Sequence, residues 1–183
     1  MYMTYANQAF PQAKIWGDQS PLHTFYLPYI HRIFPNAKYL YMIRDGRDVV
    51  TSLVTRFGDD YLFEAVHRWK VSLQRTKQFQ KKISPDRNME VRYENLVKDP
   101  ENTIKQVTEF LGIDYSPIML DYWKLPSTVE HKYKNFHVNL GKPVFASSIG
   151  KWRERLTKQQ QDYVIRHLAV DLQKLGYLER NNG

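Results

Sequence analysis

The sequence predicts a single α/β domain in which helices flank a parallel sheet. Two short runs have strand character, Tyr39–Ile43 and residues 89–92, and both end where polar residues begin. Segments with the helical spacing of apolar residues lie between and after them, the longest over 61–82. Strands that alternate with helices pair in parallel, because a helix returns the chain to the start of the next strand. The 183 residues contain no internal repeat or linker-like tract, so one domain over 1–183 is expected.

Capping signals mark the ends of the predicted helices. Asp99 followed by Pro100 is typical of a helix start, and Gly112 is typical of the residue that ends the same helix. Thr157 and Gln160 have the spacing of a capping box, which predicts the start of the last helix.

Composition limits the classes of function. A formal net charge of +8 and a pI near 9.5 predict attraction to anions. The basic residues are scattered along the chain, so we expect no nucleic-acid partner. The chain has no cysteine, which excludes disulfides and thiolate metal sites, and its six histidines have no compact ligand spacing. We therefore expect no metal.

No part of the sequence has the pattern of a membrane span or a signal peptide. No apolar run approaches the ~20 residues that a transmembrane helix needs. The first residues lack the charged-then-apolar order of a leader, and no Asn-X-Ser/Thr acceptor occurs. A cytoplasmic location is the expectation.

The most informative segment begins with the first strand. Tyr39–Ile43 alternates aromatic and aliphatic residues and predicts a buried strand rather than a helix, because Gly46 breaks the pattern so soon. Arg44 then lies at the carboxyl end of this strand. In open α/β sheets, ligands bind in the crevice beyond the strand ends.

The helix after this strand carries groups that suit a phosphate. Asp48 is in position to cap the helix, and Asp48, Ser52 and Arg56 recur every four residues on one face. Ser52 and Arg56 can therefore reach the same oxyanion as Arg44. A guanidinium matches phosphate because its planar fork makes charge-assisted hydrogen bonds.

A simpler interpretation of the same residues stays open at this point. The four charged residues of the turn can pair among themselves on a solvated surface; they are Arg44, Asp45, Arg47 and Asp48.

Five ordered blocks of the sequence resemble one known family. They are residues 34–52, 91–100, 110–113, 142–153 and 175–177. Together they resemble the sulfotransferases that use 3′-phosphoadenosine 5′-phosphosulfate (PAPS), and the likeness is greatest to the bacterial and tyrosylprotein branch. The blocks cover nearly the whole chain in the order that the family has them.

The resemblance implies a sulfotransferase (P-loop NTPase-like) fold and transfer of a sulfuryl group from PAPS to an acceptor hydroxyl or amine. It implies that Arg44 and Ser52 bind the 3′-phosphate and that Arg56 adds a further basic contact. It also implies that Tyr93 contacts the nucleotide and that residues 126–150 form a lid, from which Lys142 reaches the nucleotide. The alternatives are a core tyrosine at Tyr93 and a solvated surface lysine at Lys142.

The sequence departs from the family at the other end of the cofactor. The family holds the 5′-phosphosulfate in a Gly-rich loop, but no two of the eight glycines lie close enough to form one. Gln19 stands where the family usually has a lysine, and it brings no positive charge. The family's general base also lies in the part that finds no match, so the catalytic residues are unknown.

Three explanations of this departure are open. The chain is a truncated sulfotransferase whose fold is incomplete at the N-terminus, or it is completed by a homodimer or a separate amino-terminal chain. The third is a non-catalytic module that binds 3′-phosphoadenosine nucleotides or serves an interaction. Small-molecule, glycan and peptide acceptors are all compatible with the sequence.

Overall fold

The computed structural model describes residues 11–13, 15–124 and 146–179. Its helices and strands are α1 Leu27–Ile33, β1 Tyr39–Ile43, α2 Gly46–Phe57, α3 Leu62–Gln80, β2 Asn88–Arg92, α4 Tyr93–Lys98, α5 Pro100–Leu111, α6 Trp152–Arg155 and α7 Lys158–Lys174. Short 3-10 turns lie at Pro21–Phe25, Asp59–Tyr61, Pro85–Arg87, Pro117–Lys124 and Ala146–Ser148. None of the helices in these ranges has both the length and the apolar character that a bilayer crossing requires.

The two strands of the described residues form a parallel pair. Tyr39 lies opposite Asn88 and Ile43 lies opposite Arg92, so the strands start and end together. Helices α2 and α3 carry the chain from the end of β1 to the start of β2. The predicted parallel α/β arrangement is confirmed.

Among the described residues, helices cover one face of β1 and leave the other face open. Tyr39 and Tyr41 are buried, whereas Leu40 is 43% exposed and Met42 is 54% exposed. The prediction of a strand was right, but the prediction that it is buried holds for one face only. The reason is that α1, α3 and the residue after α7 all pack on the side of Tyr39 and Tyr41.

The core consists of two clusters that share two aromatic side chains. The first joins α2, α3, α6 and α7, and its most deeply buried members are Val50, Ala65, Val164, Leu168 and Leu172. The second lies under β1 and consists of Leu27, Tyr39, Tyr41, Ile43, Phe79 and Leu175. Trp69 and Tyr177 pack against both clusters. They therefore tie the helices to the strand from which the candidate site begins.

The capping residues predicted for α5 and α7 are confirmed in the structure. The Asp99 side chain accepts a hydrogen bond from the Asn102 N–H at the start of α5, and Gly112 ends that helix with a φ of 76°. Thr157 and Gln160 make both hydrogen bonds of the capping box at the start of α7.

Gly46 has a different role from the one predicted. It is the first residue of α2, not a break between elements. A Cβ atom at this position would lie 2.8 Å from Cε2 of Trp69 and 2.9 Å from Cδ1 of Leu168. Glycine is needed here because the indole of α3 and a leucine of α7 pack directly against the backbone.

Candidate nucleotide-binding site

Arg44 and Tyr93 meet at the carboxyl ends of the two strands. Arg44 follows Ile43 and Tyr93 follows Arg92, and the register places Ile43 and Arg92 opposite each other. The guanidinium carbon of Arg44 lies 4.4 Å from the centre of the Tyr93 ring. A guanidinium over an aromatic face is held there by a cation–π interaction. Two of the predicted site residues are thus in direct contact.

One N–H donor of the Arg44 guanidinium has no acceptor among the described residues. Its Nη2 donates to the backbone oxygen of Ser148 at 2.7 Å. Its Nε is buried, and no described residue accepts a hydrogen bond from it. Buried donors in folded proteins are almost always paired, so an orphaned guanidinium nitrogen indicates a place for an acceptor. A phosphate oxygen matches this donor chemically.

A buried ion pair holds the start of α2. Asp45 caps the helix, because its side chain accepts from the Arg47 N–H at 2.9 Å. The Arg47 side chain returns to Asp45, with 2.7 Å between Nη2 and Oδ2. The same Nη2 donates to the backbone oxygen of Tyr177 at 2.9 Å. The alternative of a solvated turn is therefore half right, since Asp45 and Arg47 do pair, but both are buried.

Asp48 does not cap the helix, so that prediction was wrong. The helix begins three residues earlier than a cap at this position requires, and Asp45 takes the role. Asp48 is 2% exposed and its two oxygens accept from backbone N–H groups of a distant segment. Oδ2 accepts from Gly150 at 2.7 Å and Oδ1 accepts from Trp152 at 3.1 Å. Asp48 thus links the start of α2 to Gly150 and Trp152, which lie 102 and 104 positions further along the chain.

Ser52 and Arg56 lie one and two turns further along α2, and both are exposed. The guanidinium of Arg56 lies 5.1 Å from the centre of the Phe57 ring. Their assignment to a phosphate stays a prediction. Lys142 lies outside the described residues, as does most of the predicted lid; of residues 126–150, the structure describes 146–150.

A second hydrogen-bond network links the carboxyl ends of both strands to the turn after α7. Glu94 accepts from the backbone N–H of Asp45 at 3.0 Å and from the hydroxyl of Tyr177 at 2.8 Å. Burial, and then the hydrogen bond to Glu94, raise the pKa of Tyr177 above its usual value. Arg92 donates to the backbone oxygen of Leu175 at 2.7 Å. The turn after α7 is thereby fixed against both strand ends.

Sequence reasoning missed the members of this network and the role of Asp48. Glu94 and Tyr177 lie within the blocks that carry the family resemblance, at 91–100 and 175–177. They are 83 residues apart, and no local pattern pairs them.

The segment with Gln19 offers no group with an evident catalytic role. The Gln19 side chain is exposed, and its neighbour Asp18 pairs with His23 at 3.2 Å. In the part of the chain that the structure describes, no cluster of three or more histidines and carboxylates could hold a metal ion. The expected absence of a metal stays a prediction.

The fold defines an α/β protein with parallel strands, a class in which ligands bind beyond the carboxyl ends of the strands, where Arg44 and Tyr93 lie. A model of the sulfotransferase family matches residues 1–117. The chain belongs to the sulfotransferase family.

Solved sulfotransferase domains share the fold. The domain from the olefin synthase of Synechococcus PCC 7002 superposes with a TM-score of 0.72 at 21% identity, over 92% of this chain and 63% of that one. The domain from the curacin biosynthetic pathway superposes with a TM-score of 0.65 at 20% identity, over 92% of this chain and 66% of the other. The predicted sulfotransferase fold is confirmed.

Curated relatives include protein-tyrosine sulfotransferases from animals. Protein-tyrosine sulfotransferase 2 of Gallus gallus is 31% identical over 160 residues, which is 81% of this chain and 43% of the relative. Protein-tyrosine sulfotransferase A of Caenorhabditis elegans is 30% identical over 163 residues, which is 81% of this chain and 41% of the relative. The chain spans less than half the length of both.

Proposed function

We propose that this chain carries the 3′-phosphoadenosine-binding part of an enzyme that transfers a sulfuryl group from PAPS to an acceptor hydroxyl or amine. Membership of the sulfotransferase family supports the reaction class and the donor. The observation that carries the proposal is the half-buried guanidinium of Arg44 at the end of β1, whose buried Nε has no acceptor among the described residues.

The charge of Arg44 distinguishes it from the arginine three positions further along the chain. Arg47 is neutralised by Asp45 in a buried ion pair. Within the described residues, no carboxylate forms an ion pair with Arg44. A 3′-phosphate would supply both the missing acceptor and the missing negative charge. Arg44 is therefore the binding group in this proposal, and Arg47 is structural.

The remaining predicted residues surround this point in the proposal. Tyr93 holds the guanidinium from one side and offers its ring edge and hydroxyl to the nucleotide. Ser52 donates its hydroxyl to the same phosphate, and Arg56 adds positive charge one turn further along α2. The family resemblance adds Lys142, in the predicted lid 126–150, to the residues that bind the nucleotide in this proposal.

PAPS, when bound, supplies the sulfuryl group, which leaves the 5′-phosphate oxygen for an acceptor oxygen or nitrogen as the acceptor loses its proton. The residues above bind and orient the nucleotide and leave the reacting end of it to other groups. Because the sequence contains no Gly-rich phosphate loop, we propose that a further segment supplies one, from the same protein or from a second chain. The base that takes the proton belongs with that segment.

We propose a peptide as the acceptor. Two relatives are named protein-tyrosine sulfotransferases, and the net charge of +8 suits an acidic peptide. Glycans and small alcohols are the competing acceptors. A homodimer, a complementing chain and the cytoplasmic location stay predictions.

Nucleotide binding by an Arg44→Ala variant tests the phosphate assignment. We expect affinity for adenosine 3′,5′-bisphosphate to fall about ten- to a hundredfold, the equivalent of one or two charge-assisted hydrogen bonds. Affinity for adenosine 5′-phosphate, which lacks the 3′-phosphate, should change much less. Calorimetric titration measures both.

Arg75→Ala is the matched control for this substitution. The guanidinium of Arg75 also donates to a backbone oxygen, that of Phe25 at 3.2 Å, and also lies over a ring, that of Phe25 at 4.8 Å. Its loss should leave both affinities unchanged. If Arg44→Ala binds the bisphosphate as tightly as the Arg75→Ala variant does, Arg44 is not the phosphate ligand.

A binding module without catalysis is the second candidate, and the observations that favour it are Gln19 and the missing Gly-rich loop. It predicts that the nucleotide binds while no acceptor is sulfated. Radiolabelled sulfate transfer from PAPS to a tyrosine-containing acidic peptide separates the two functions. Transfer by the chain alone would contradict the module, and transfer only after an amino-terminal segment with a Gly-rich loop is added would support the incomplete enzyme.

A further inference from the structure

Three backbone groups of residues 146–152 are attached to the start of α2. The Ser148 oxygen accepts from Arg44, and the N–H groups of Gly150 and Trp152 donate to Asp48. The Trp152 ring also lies 4.4 Å from the guanidinium carbon of Arg47. We call residues 148–152 together with the Asp48 carboxylate the clasp.

Both oxygens of the Asp48 carboxylate accept hydrogen bonds from this backbone. It is buried, and within the described residues it forms no ion pair with a lysine or arginine. A buried carboxylate without a counter-charge is costly unless several hydrogen bonds stabilise the charged form. Here the two backbone N–H groups at 2.7 and 3.1 Å provide them. The geometry of the 150–152 backbone is therefore tightly set by Asp48.

Gly150 provides the backbone turn on which the clasp depends. Its φ of 77° lies in the left-handed region, where residues other than glycine are strained. A Cβ atom there would also lie 2.9 Å from Nη1 of Arg153. The turn that directs the Gly150 N–H at Asp48 thus depends on glycine.

We propose that Asp48 is a positioning residue for the 3′-phosphate site, acting on Arg44 through the backbone of residues 148–150. Asp48 fixes Gly150, Gly150 fixes the Ser148 carbonyl two residues earlier, and that carbonyl holds one end of the Arg44 guanidinium. The Tyr93 ring holds its face. The remaining donors of Arg44, including the buried Nε, are then aligned for the phosphate before it arrives. Alignment in advance reduces the entropy lost on binding.

This inference rests on the proposed function, and it assigns to Asp48 a role that does not involve touching the ligand. A purely structural role would lower stability and weaken all nucleotides alike. A positioning role lowers specifically the preference for the 3′-phosphate. The informative quantity is therefore the ratio of the dissociation constant of adenosine 5′-phosphate to that of adenosine 3′,5′-bisphosphate, which we call the preference ratio.

The test compares Asp48→Asn and Gly150→Ala with two matched controls. Asp99→Asn changes another aspartate that accepts from a backbone N–H, at the start of α5. Gly112→Ala changes another glycine with positive φ, 76°, around which no atom lies within 4 Å of an added Cβ. Circular dichroism first establishes a temperature at which the variants are folded, and calorimetry then gives both dissociation constants.

We expect each clasp variant to lower the preference ratio about tenfold, because one aligned charge-assisted hydrogen bond is lost. The two controls should keep the ratio of the unaltered protein. Combining Asp48→Asn with Gly150→Ala should lower the ratio no further than one of them alone, since both break the same clasp. If Asp48→Asn does not fold, the ratio of Gly150→Ala decides.

The outcomes separate this inference from the function on which it rests. An unaltered protein with a preference ratio near one overturns the proposed function itself. A high ratio in the unaltered protein that Asp48→Asn and Gly150→Ala both retain overturns only the role of Asp48. A high ratio that both variants lose, while the controls keep it, supports the proposal.

Discussion

Replacing Arg47 by methionine should destabilise the protein strongly, although Arg47 lies beside the site rather than in it. Arg47 is 6% exposed and its partner Asp45 is 7% exposed. Methionine fills similar space but leaves the Asp45 carboxylate buried without its counter-charge. It also removes the bond to the Tyr177 oxygen and the stacking on Trp152. Breaking a buried ion pair at one partner costs roughly 3 to 5 kcal/mol.

Urea unfolding monitored by circular dichroism measures this loss in the free energy of unfolding, and thermal unfolding measures the change in melting temperature. At about 2 to 4 °C per kcal/mol for a chain of this size, the melting temperature should fall by roughly 6 to 20 °C. Lys77→Met is the control, because it breaks the ion pair with Glu90 in which both side chains are at least one-third exposed. That change should cost about 0 to 1 kcal/mol.

The double substitution Asp45→Asn with Arg47→Met gives a sharper test. Asparagine keeps the capping oxygen but removes the buried charge, so the double variant should be more stable than Arg47→Met alone. A loss of less than about 1 kcal/mol for Arg47→Met would refute the reasoning. The start of α2 would then be held by packing rather than by the ion pair.

Three further substitutions test other features of the structure. Gly46→Ala should lower the free energy of unfolding by roughly 1 to 3 kcal/mol, because the added methyl group overlaps the indole of Trp69. Gly17→Ala is the control and should leave stability unchanged, because no atom lies within 4 Å of its added Cβ. Equal urea midpoints for the two variants would contradict the packing at Gly46. Tyr177 has a raised pKa, so the folded state retains its proton more tightly than the unfolded state, and the resulting stability is present below pH 10 and lost above it. Tyr177→Phe should therefore reduce the loss of stability between about pH 9 and pH 11, and an unchanged alkaline slope would contradict this origin. Tyr41 has a buried hydroxyl that finds no partner among the described residues, so Tyr41→Phe should be neutral or stabilising by up to about 1 kcal/mol; a loss above roughly 1.5 kcal/mol by thermal unfolding would show a missed partner.

Features with short-range signals were predictable from the sequence. The capping box of Thr157 and Gln160 spans three residues, and its spacing alone specifies both hydrogen bonds. The position of Arg44 and Tyr93 at one edge of the sheet was predictable as well, because each comes directly after a strand and parallel strands end at one edge; their direct contact was not predicted.

Features that depend on the surroundings were not predictable. The cap predicted at Asp48 lies at Asp45, because α2 starts at Gly46, and no local signal in the charged turn sets that start. Glu94 meets Tyr177 across 83 residues, where local patterns carry no information. The exposure of Leu40 likewise reflects which face of β1 the helices cover, not its own apolar character.

The most direct test of the central claim is the affinity of the unaltered chain for two nucleotides that differ only in the 3′-phosphate. Calorimetry at low ionic strength gives the dissociation constants of adenosine 3′,5′-bisphosphate and adenosine 5′-phosphate. Because the Nε of Arg44 has no acceptor among the described residues and a 3′-phosphate can provide one, we expect the bisphosphate to bind at least about tenfold more tightly. Equal affinities would contradict a 3′-phosphate site at the end of β1.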